Sequence, residues 1–488
     1  MGNKKGKVKE MKKSKRILSL ALALVITALC AAGCGKTNKT QGLGKNLSSE
    51  AKQALQDGKT VIVISKWPAK DSPDYETMEE KRANFMEQNP DIFLEPSQFR
   101  FDFKTFTAVA AAGELPTMYD TYFTQVKPII DDGFATDITK SLKKIGFYDE
   151  INEKLLPYTT DKKGNVYALT YSAYYQGLHI NKNIFKEAGL VDSEGNVLIP
   201  SSYEDVYEFS KIIKEKTGKA GFAFPTAEHV GGWHFVNLAW AYGVDFLKKD
   251  GDKYIAAFDT QECYDAFEWI RKMKKDELFP TSTVTIAQKK LYELFGTGQA
   301  AMMIADPPCQ ALPIDYNMDP KSFMVASMPE GPAGRFSQLG GDVYMFRSDA
   351  TEAQVDACLK WLEFNGTTPE ITEERAKAIE ASNKKVIANW NGIVLPKPAF
   401  SLWSSPERDA KIAEIYGKDT NVIPSDYDSY YKAEGVTIRP EPEVACQELY
   451  SILDGVIQAI YANTDADIPA LVKDAAHQWQ VNYLDKLN

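Results

Sequence analysis

The chain has 488 residues, a formal net charge of −10, 44% hydrophobic and 25% charged residues. That balance excludes a disordered or collagen-like polymer. Eight basic residues and Glu10 crowd the first turns of sequence, so the remainder carries about −17, which argues against a nucleic-acid partner and a polybasic membrane contact.

The basic segment Lys4 to Arg16 precedes an apolar run, Ile17 to Ala32. The run is short for a membrane span and has the length of a signal-peptide core. It ends in Ala31-Ala32-Gly33-Cys34, which resembles the lipobox of bacterial lipoproteins. Ala31 stands where leucine is usual, and Cys30 is a poorer candidate because bulky Leu29 precedes it. The resemblance implies a signal peptide over 1–33, lipid (diacylglycerol, palmitate) on Cys34, and a place on the extracytoplasmic face of the cell membrane. Gly35 to Gly44 is small, polar and without periodicity, so 34–59 reads as a flexible tether, with the folded part expected from about Thr60.

Val61-Ile62-Val63-Ile64 reads as a buried strand. A helix is expected over about 75–88, closed by Asn89-Pro90. The alternation Phe99-Arg100-Phe101-Asp102-Phe103 reads as a half-buried strand. A helix over 105–112 ends at Gly113, and 115–120 reads as a strand with its outgoing loop. This alternation of strand and helix predicts an α/β layer. Ser202 and Asp205 form a capping box ahead of a helix with Val206, Phe209 and Ile213 on one face, ended by Gly218. Further helices are expected at about 260–275 and, as a pair broken near Asn463-Thr464-Asp465, after about 443. The chain past the leader is too long for one ordinary core, so two lobes are expected. Cys263, Cys309, Cys358 and Cys446 are widely spaced with no C-x-x-C, and Cys263 and Cys358 read as buried thiols in helices. His229 and His234 have no carboxylate partner at a metal-ligand spacing, and no Walker A, G-x-S-x-G or H-E-x-x-H motif is present.

Four segments in order resemble the family-1 extracellular solute-binding proteins, the group that includes maltose-binding proteins. Gly113-Glu114-Leu115-Pro116 with Tyr119-Asp120 is similar to GxLPDV, with Thr117 in place of Asp. Residues 163–169 are similar to GKxYALP, and 177–190 to GLxYNKxLFKEAGL with Ile180 in place of Tyr. Phe295 to Met302 is similar to FxxGxAAM. The resemblance implies a two-lobed periplasmic-binding-protein-like α/β fold of type II, with a hinge of crossing segments and a ligand cleft between the lobes. The first lobe is expected over 60–172 plus 328–366, and the second over 173–327 plus 367–488. Crossings are expected near 170–174, near 324–329 and shortly after Phe364. Residues 366–440 match no segment of the family.

The resemblance further implies a monomeric, non-enzymatic receptor that delivers a carbohydrate, above all an oligosaccharide, to the permease subunits of an ABC importer, with no cofactor. A sugar offers apolar C–H faces to aromatic rings and hydroxyls to carboxylates. Candidates are therefore aromatic and acidic residues on loops after strands. Trp67 follows the first strand; Asp120 and Tyr122 follow the third; Tyr171, Tyr174 and Tyr175 cluster at the first crossing. Trp233 stands beside Gly231-Gly232, a pair suited to a close approach, and Asp306 follows the Ala301–Ile304 run. Asp342 ends Gly340-Gly341-Asp342, and Trp403 is a late platform of the maltose-binding kind. Three alternatives stay open: a non-sugar solute such as a polyamine or phospho-compound, a sensor subunit of a surface kinase, and a surface-anchored glycoside hydrolase with two carboxylates about 5–10 Å apart.

Overall fold

The computed structural model describes residues 42–43, 46–72, 74–251, 253–281, 284–398 and 400–487. The leader and Cys34 lie outside the described residues. Among those residues, no helix is long and apolar enough to cross a membrane.

Two separate sheets carry the fold. β-Branched Thr60–Ile64 lies inside the first sheet, parallel to Ile92–Pro96 on one side and to Met118–Tyr122 on the other. The long strand Gly334–Phe346 continues this sheet. Its second half runs antiparallel to both Met118–Tyr122 and Ala168–Tyr175. Its first half runs parallel to Val436–Pro440. The second sheet orders Phe323–Ala326, Gly177–Asn181, Ala300–Ala305 and Ala220–Ala223. Helices cover both sheets. Ile62, Phe85, Leu94 and Trp361 represent the first lobe's core; Phe222, Phe235, Phe267, Leu453 and Trp479 represent the second's.

Most expected helices stand where the pattern put them, including Tyr75–Gln88, the capped Tyr203–Thr217, Gln261–Lys275 and the pair Cys446–Ala462 and Ile468–Asn482. Cys263, Cys309, Cys358 and Cys446 are free and buried. Two expectations fail. Residues 46–59 are no tether: Ser48 caps a helix over Ser49–Gln56 and also bonds Glu95 through its N–H at 2.9 Å and Oγ at 2.8 Å. Leu43, Leu47, Ala51 and Ala54 recur at near-helical spacing and cover Val61 and Val63. Phe99–Phe103 is a loop. Asp102 Oδ1 accepts from the N–H groups of Lys104 and Thr105 and starts the Phe106–Ala111 helix, while Phe101 packs on Phe106 at 5.2 Å. Ile92–Pro96 takes the strand place instead.

The chain passes from the first sheet to the second at Gln176, a little later than expected, and returns between Ser327 and Leu339. Backbone polar groups are buried there and need partners. Gln176 N–H donates to Ser337 Oγ at 2.9 Å, and Gln338 N–H donates to Asn237 Oδ1 at 2.8 Å. Asn237 Nδ2 closes the set on Gln176 Oε1 at 2.7 Å. The third stretch is not all second lobe, as 367–488 was expected to be. Ile393 and Leu395 pack beneath the second sheet, Leu402 and Trp403 return to the first core, and Tyr427 and Tyr430 rejoin the second. Trp403 moves the chain there because a large apolar ring gains most where a core already exists.

Asn237→Ala leaves Gln338 N–H and much of the Gln176 amide without partners. It is expected to cost about 1–3 kcal/mol, read as a lower urea midpoint at unchanged slope.

Candidate functional site

A cavity of about 760 Å³ lies between the two sheets. Tyr122, Asp342 and Tyr174 enter it from the first sheet, at the end of which Tyr122 faces Asp342 in register. Trp233 and Asp306 enter from the second lobe, and Glu441 from the turn after Val436–Pro440. Phe400, Tyr416 and Asn383 close one side from the segment that matched nothing in the sequence.

Trp233 is held firmly. It sits in the first turn of the helix Val230–Tyr242, whose free N–H groups find Asp454: His229 N–H and Gly232 N–H each donate at 2.7 Å. A Cβ at Gly232 would stand 2.3 Å from the Tyr450 carbonyl oxygen, so the glycine pair serves helix packing, not ligand approach. Gln338 Nε2 donates to the Trp233 carbonyl at 3.0 Å, which ties the helix to the crossing. Tyr174 meets the Trp233 ring edge-on at 6.5 Å, and a Cβ at Gly340 would stand 2.6 Å from the Tyr174 ring. Glu441 accepts from Tyr450 OH at 2.7 Å and from the Trp233 side chain.

The acids share one poorly compensated field. Burial pushes Asp342 up to about 6; Lys66 opposes this, and Asp120 and Asp306 add to it. Burial pushes Glu441 up to about 7 against its bonds to Tyr450 and Trp233, with Asp342 raising it further. Burial also raises Asp306. The Tyr174 phenol is raised by burial and then by Asp306, Asp342 and Glu441. Such carboxylates are strong acceptors in want of donors.

Five expected residues thus meet in the cavity: Tyr122, Tyr174, Trp233, Asp306 and Asp342. Asp120 lies beside it, 5% exposed, bound to Ser65 Oγ and paired with Lys66 Nζ at 3.2 Å each. Tyr171 faces an adjoining cavity, stacked on Tyr344 at 4.3 Å, and accepts from Lys66 Nζ at 2.8 Å. Three do not reach the site. Tyr175 stacks on Tyr430 at 4.5 Å, and its OH donates to the Tyr430 carbonyl, because strand alternation turns it away from Tyr174. Trp67 is 2% exposed against Trp361 and donates its Nε1–H to Glu79. Trp403 is 2% exposed and edge-on to Phe147 at 5.3 Å. Glu441, Phe400, Tyr416 and Asn383 were missed by sequence reasoning. Glu441 had a signal: an acid fixed between Pro440 and Pro442.

The lobes touch at the cavity mouth. Phe103 meets His229 edge-on at 4.8 Å, Lys127 pairs with Glu443 at 3.0 Å, and Gln447 Nε2 donates to Thr124 Oγ1 at 3.2 Å. Among the described residues no group of three or more metal-ligating side chains converges.

A family model described as bacterial extracellular solute-binding protein matches residues 69–368. The chain belongs to that family. The solute-binding chain is 24% identical over 347 residues to the diacetylchitobiose binding protein DasA of Streptomyces coelicolor, a match over 65% of this chain and 72% of that one. Its fold is similar to T. maritima MalE3 with maltose bound (18% identity, TM-score 0.63, 86% and 99% of the two chains). It is also similar to UgpB of Mycobacterium tuberculosis in complex with glycerophosphocholine (17%, TM-score 0.65, 88% and 99%). The two-lobed binding-protein fold is thereby established, and the family places the folded chain outside the cytoplasm.

Asp342 and Glu441 set a pH dependence. Their folded pKa values lie above the usual values of about 3.9 and 4.3. Their contribution to stability is therefore full below about pH 4 and is lost as pH rises through 6 to 7. The melting temperature of the unliganded protein is expected to fall between pH 5 and 8, and Asp342→Asn with Glu441→Gln to flatten that fall, by scanning calorimetry.

Proposed function

We propose that this solute-binding protein is the lipid-anchored receptor of an ABC importer and that it holds an oligosaccharide in the interlobe cavity. One observation carries the reading: aromatic rings and partly buried carboxylates from both lobes converge on the same space. Trp233, Tyr174 and Tyr122 present apolar faces to sugar C–H surfaces, and Asp306, Asp342 and Glu441 accept from hydroxyls. The volume of about 760 Å³ sits high in the usual range for ligand sites, roughly 300–1,000 Å³. Diacetylchitobiose and maltose in the names of similar proteins support the same class. A solute that touches both lobes favours their closed arrangement, which is the state a permease reads. The acids act as acceptors in this reading, with no catalytic step. The chain works as a monomer, held at the membrane by lipid on Cys34.

Calorimetric titration against maltose-series, cello-series and chitin oligosaccharides tests the class. At least one is expected to bind and to be recovered uncleaved, and Trp233→Ala is expected to weaken it about tenfold or more. A response to polyamines or glycerophosphodiesters alone, or release of reducing ends, overturns the reading. For the anchor, Cys34→Ser is expected to shift the protein from the membrane fraction to the medium; retention of the variant in the membrane rejects lipid on Cys34.

A further inference from the structure

A second cavity of about 550 Å³ adjoins the first and shares Ser172, Ala173, Lys397, Pro398, Phe400 and Tyr416 with it. Its wall is basic, against the trend of an acidic chain. Arg375, from the helix Glu373–Trp390, and Arg408, from Pro406–Asp419, both line it, with Lys397 between the two cavities. Both arginines are partly buried. Arg375 lies flat on Gly366, where a Cβ would stand 2.0 Å from its guanidinium. Its Nε is buried without a hydrogen-bond partner. Arg408 Nε donates to the Thr368 carbonyl at 3.0 Å.

Neither guanidinium forms an ion pair among the described residues. The acid on this wall, Asp409, instead accepts from Ser401 Oγ at 2.6 Å, though its charge still favours Arg408. Burial lowers the pKa of both arginines, and Arg375 lowers Arg408 further. Arg375, Arg408 and Lys397 outweigh Asp409 on this wall, and an excess of partly buried positive charge is costly unless something else offsets it. Planar guanidinium forks match an oxyanion bidentately. Tyr171, Tyr416 and Tyr431 supply ring surface around them.

We infer that this second cavity is an anion subsite of the binding cleft, in which Arg375 and Arg408 hold the oxyanion of an acidic sugar, a uronate carboxylate or a sugar phosphate. The inference rests on the carbohydrate reading above and narrows it. The neutral part of the solute lies among Trp233, Tyr174 and the carboxylates; the charged unit reaches past Phe400 and Tyr416.

The test is thermal unfolding and calorimetric titration of the full chain and of Arg375→Gln, Arg408→Gln and Arg375→Lys. The probes are maltotriose, chitotriose, trigalacturonate, glucose 6-phosphate, glycerol phosphate and inorganic phosphate. An acidic sugar probe is expected to bind the native protein and to lose tenfold or more affinity in each Gln variant, with partial recovery in Arg375→Lys and weakening by salt. Without probe, the Gln variants are expected to melt no lower than the native protein, because they remove repulsion; a merely structural pair would melt lower. If no acidic probe gives an arginine-dependent response, the anion subsite is overturned. Neutral oligosaccharide binding that ignores both substitutions, together with no arginine-dependent response to any acidic probe, overturns the subsite while leaving the carbohydrate reading intact. An arginine-dependent response to the phosphates alone, with no sugar response, keeps the subsite and removes the sugar.

Discussion

Buried backbone at the lobe crossings is the constraint on which the site depends. Two strands must pass between sheets through a dry interior, where each N–H and C=O still needs a partner. Neighbouring strands cannot supply all of them at a crossing, so side chains do. Ser337 takes the Gln176 N–H, and Asn237 takes the Gln338 N–H. Asn237 also belongs to the helix whose first turn holds Trp233, and Gln338 reaches back to the Trp233 carbonyl. Hinge satisfaction and the placement of Trp233 in the cavity are therefore one hydrogen-bonded unit. Asp454 completes it from the opposite side by capping that helix.

The carboxylates follow a different rule. Asp306, Asp342 and Glu441 are placed where burial penalises their charge, and the cation that acts on Asp342, Lys66, is already engaged by Asp120. No folding advantage explains three acids in such a place. A donor-rich solute does, because charged acceptors gain most from hydroxyls brought into a dry site. The cost appears as lost stability of the empty form at neutral pH. It is offset when a ligand donates, so the stability penalty and the binding energy have the same source.

Much of the architecture was legible in local chemistry. The Ser202–Asp205 capping box, the β-branched run at Val61–Ile64 and the 3.6-residue stripes gave elements at nearly their observed bounds. Trp233 opens a helix and Asp306 follows a strand, whereas Tyr174 and Asp342 were expected from the crossing and the glycine segment that the resemblance implied; all four line the cavity. Trp67 was expected at the cleft as a loop residue after a strand and Trp403 as a late platform of the maltose-binding kind, and both went to the core. A loop position allows a tryptophan to face ligand but does not force it, and the burial of a large ring wins wherever a core lies within reach. Trp67 found Trp361, and Trp403 found Phe147. Phe400, three residues before Trp403, took the cavity position instead. Such a swap depends on tertiary distances that periodicity cannot carry. The helix Ser49–Gln56 was missed for another reason. Its stripe is mostly alanine, too weak a signal until Val61 and Val63 are known to need a cover.

Residues 366–440 alter what closure can mean in this protein. The segment leaves the first lobe after the helix Glu352–Phe364, packs Ile393 and Leu395 under the second sheet, returns Trp403 to the first core and crosses again to Tyr427 and Tyr430. Successive passages are anchored in alternate lobes. Between these anchors, Lys397, Pro398 and Phe400 line both cavities, and Phe400 packs against a cluster of each lobe. The wall of the two cavities is thus tied to both lobes, so a solute that fits it touches both at once, which is the condition for favouring one arrangement of the lobes over another.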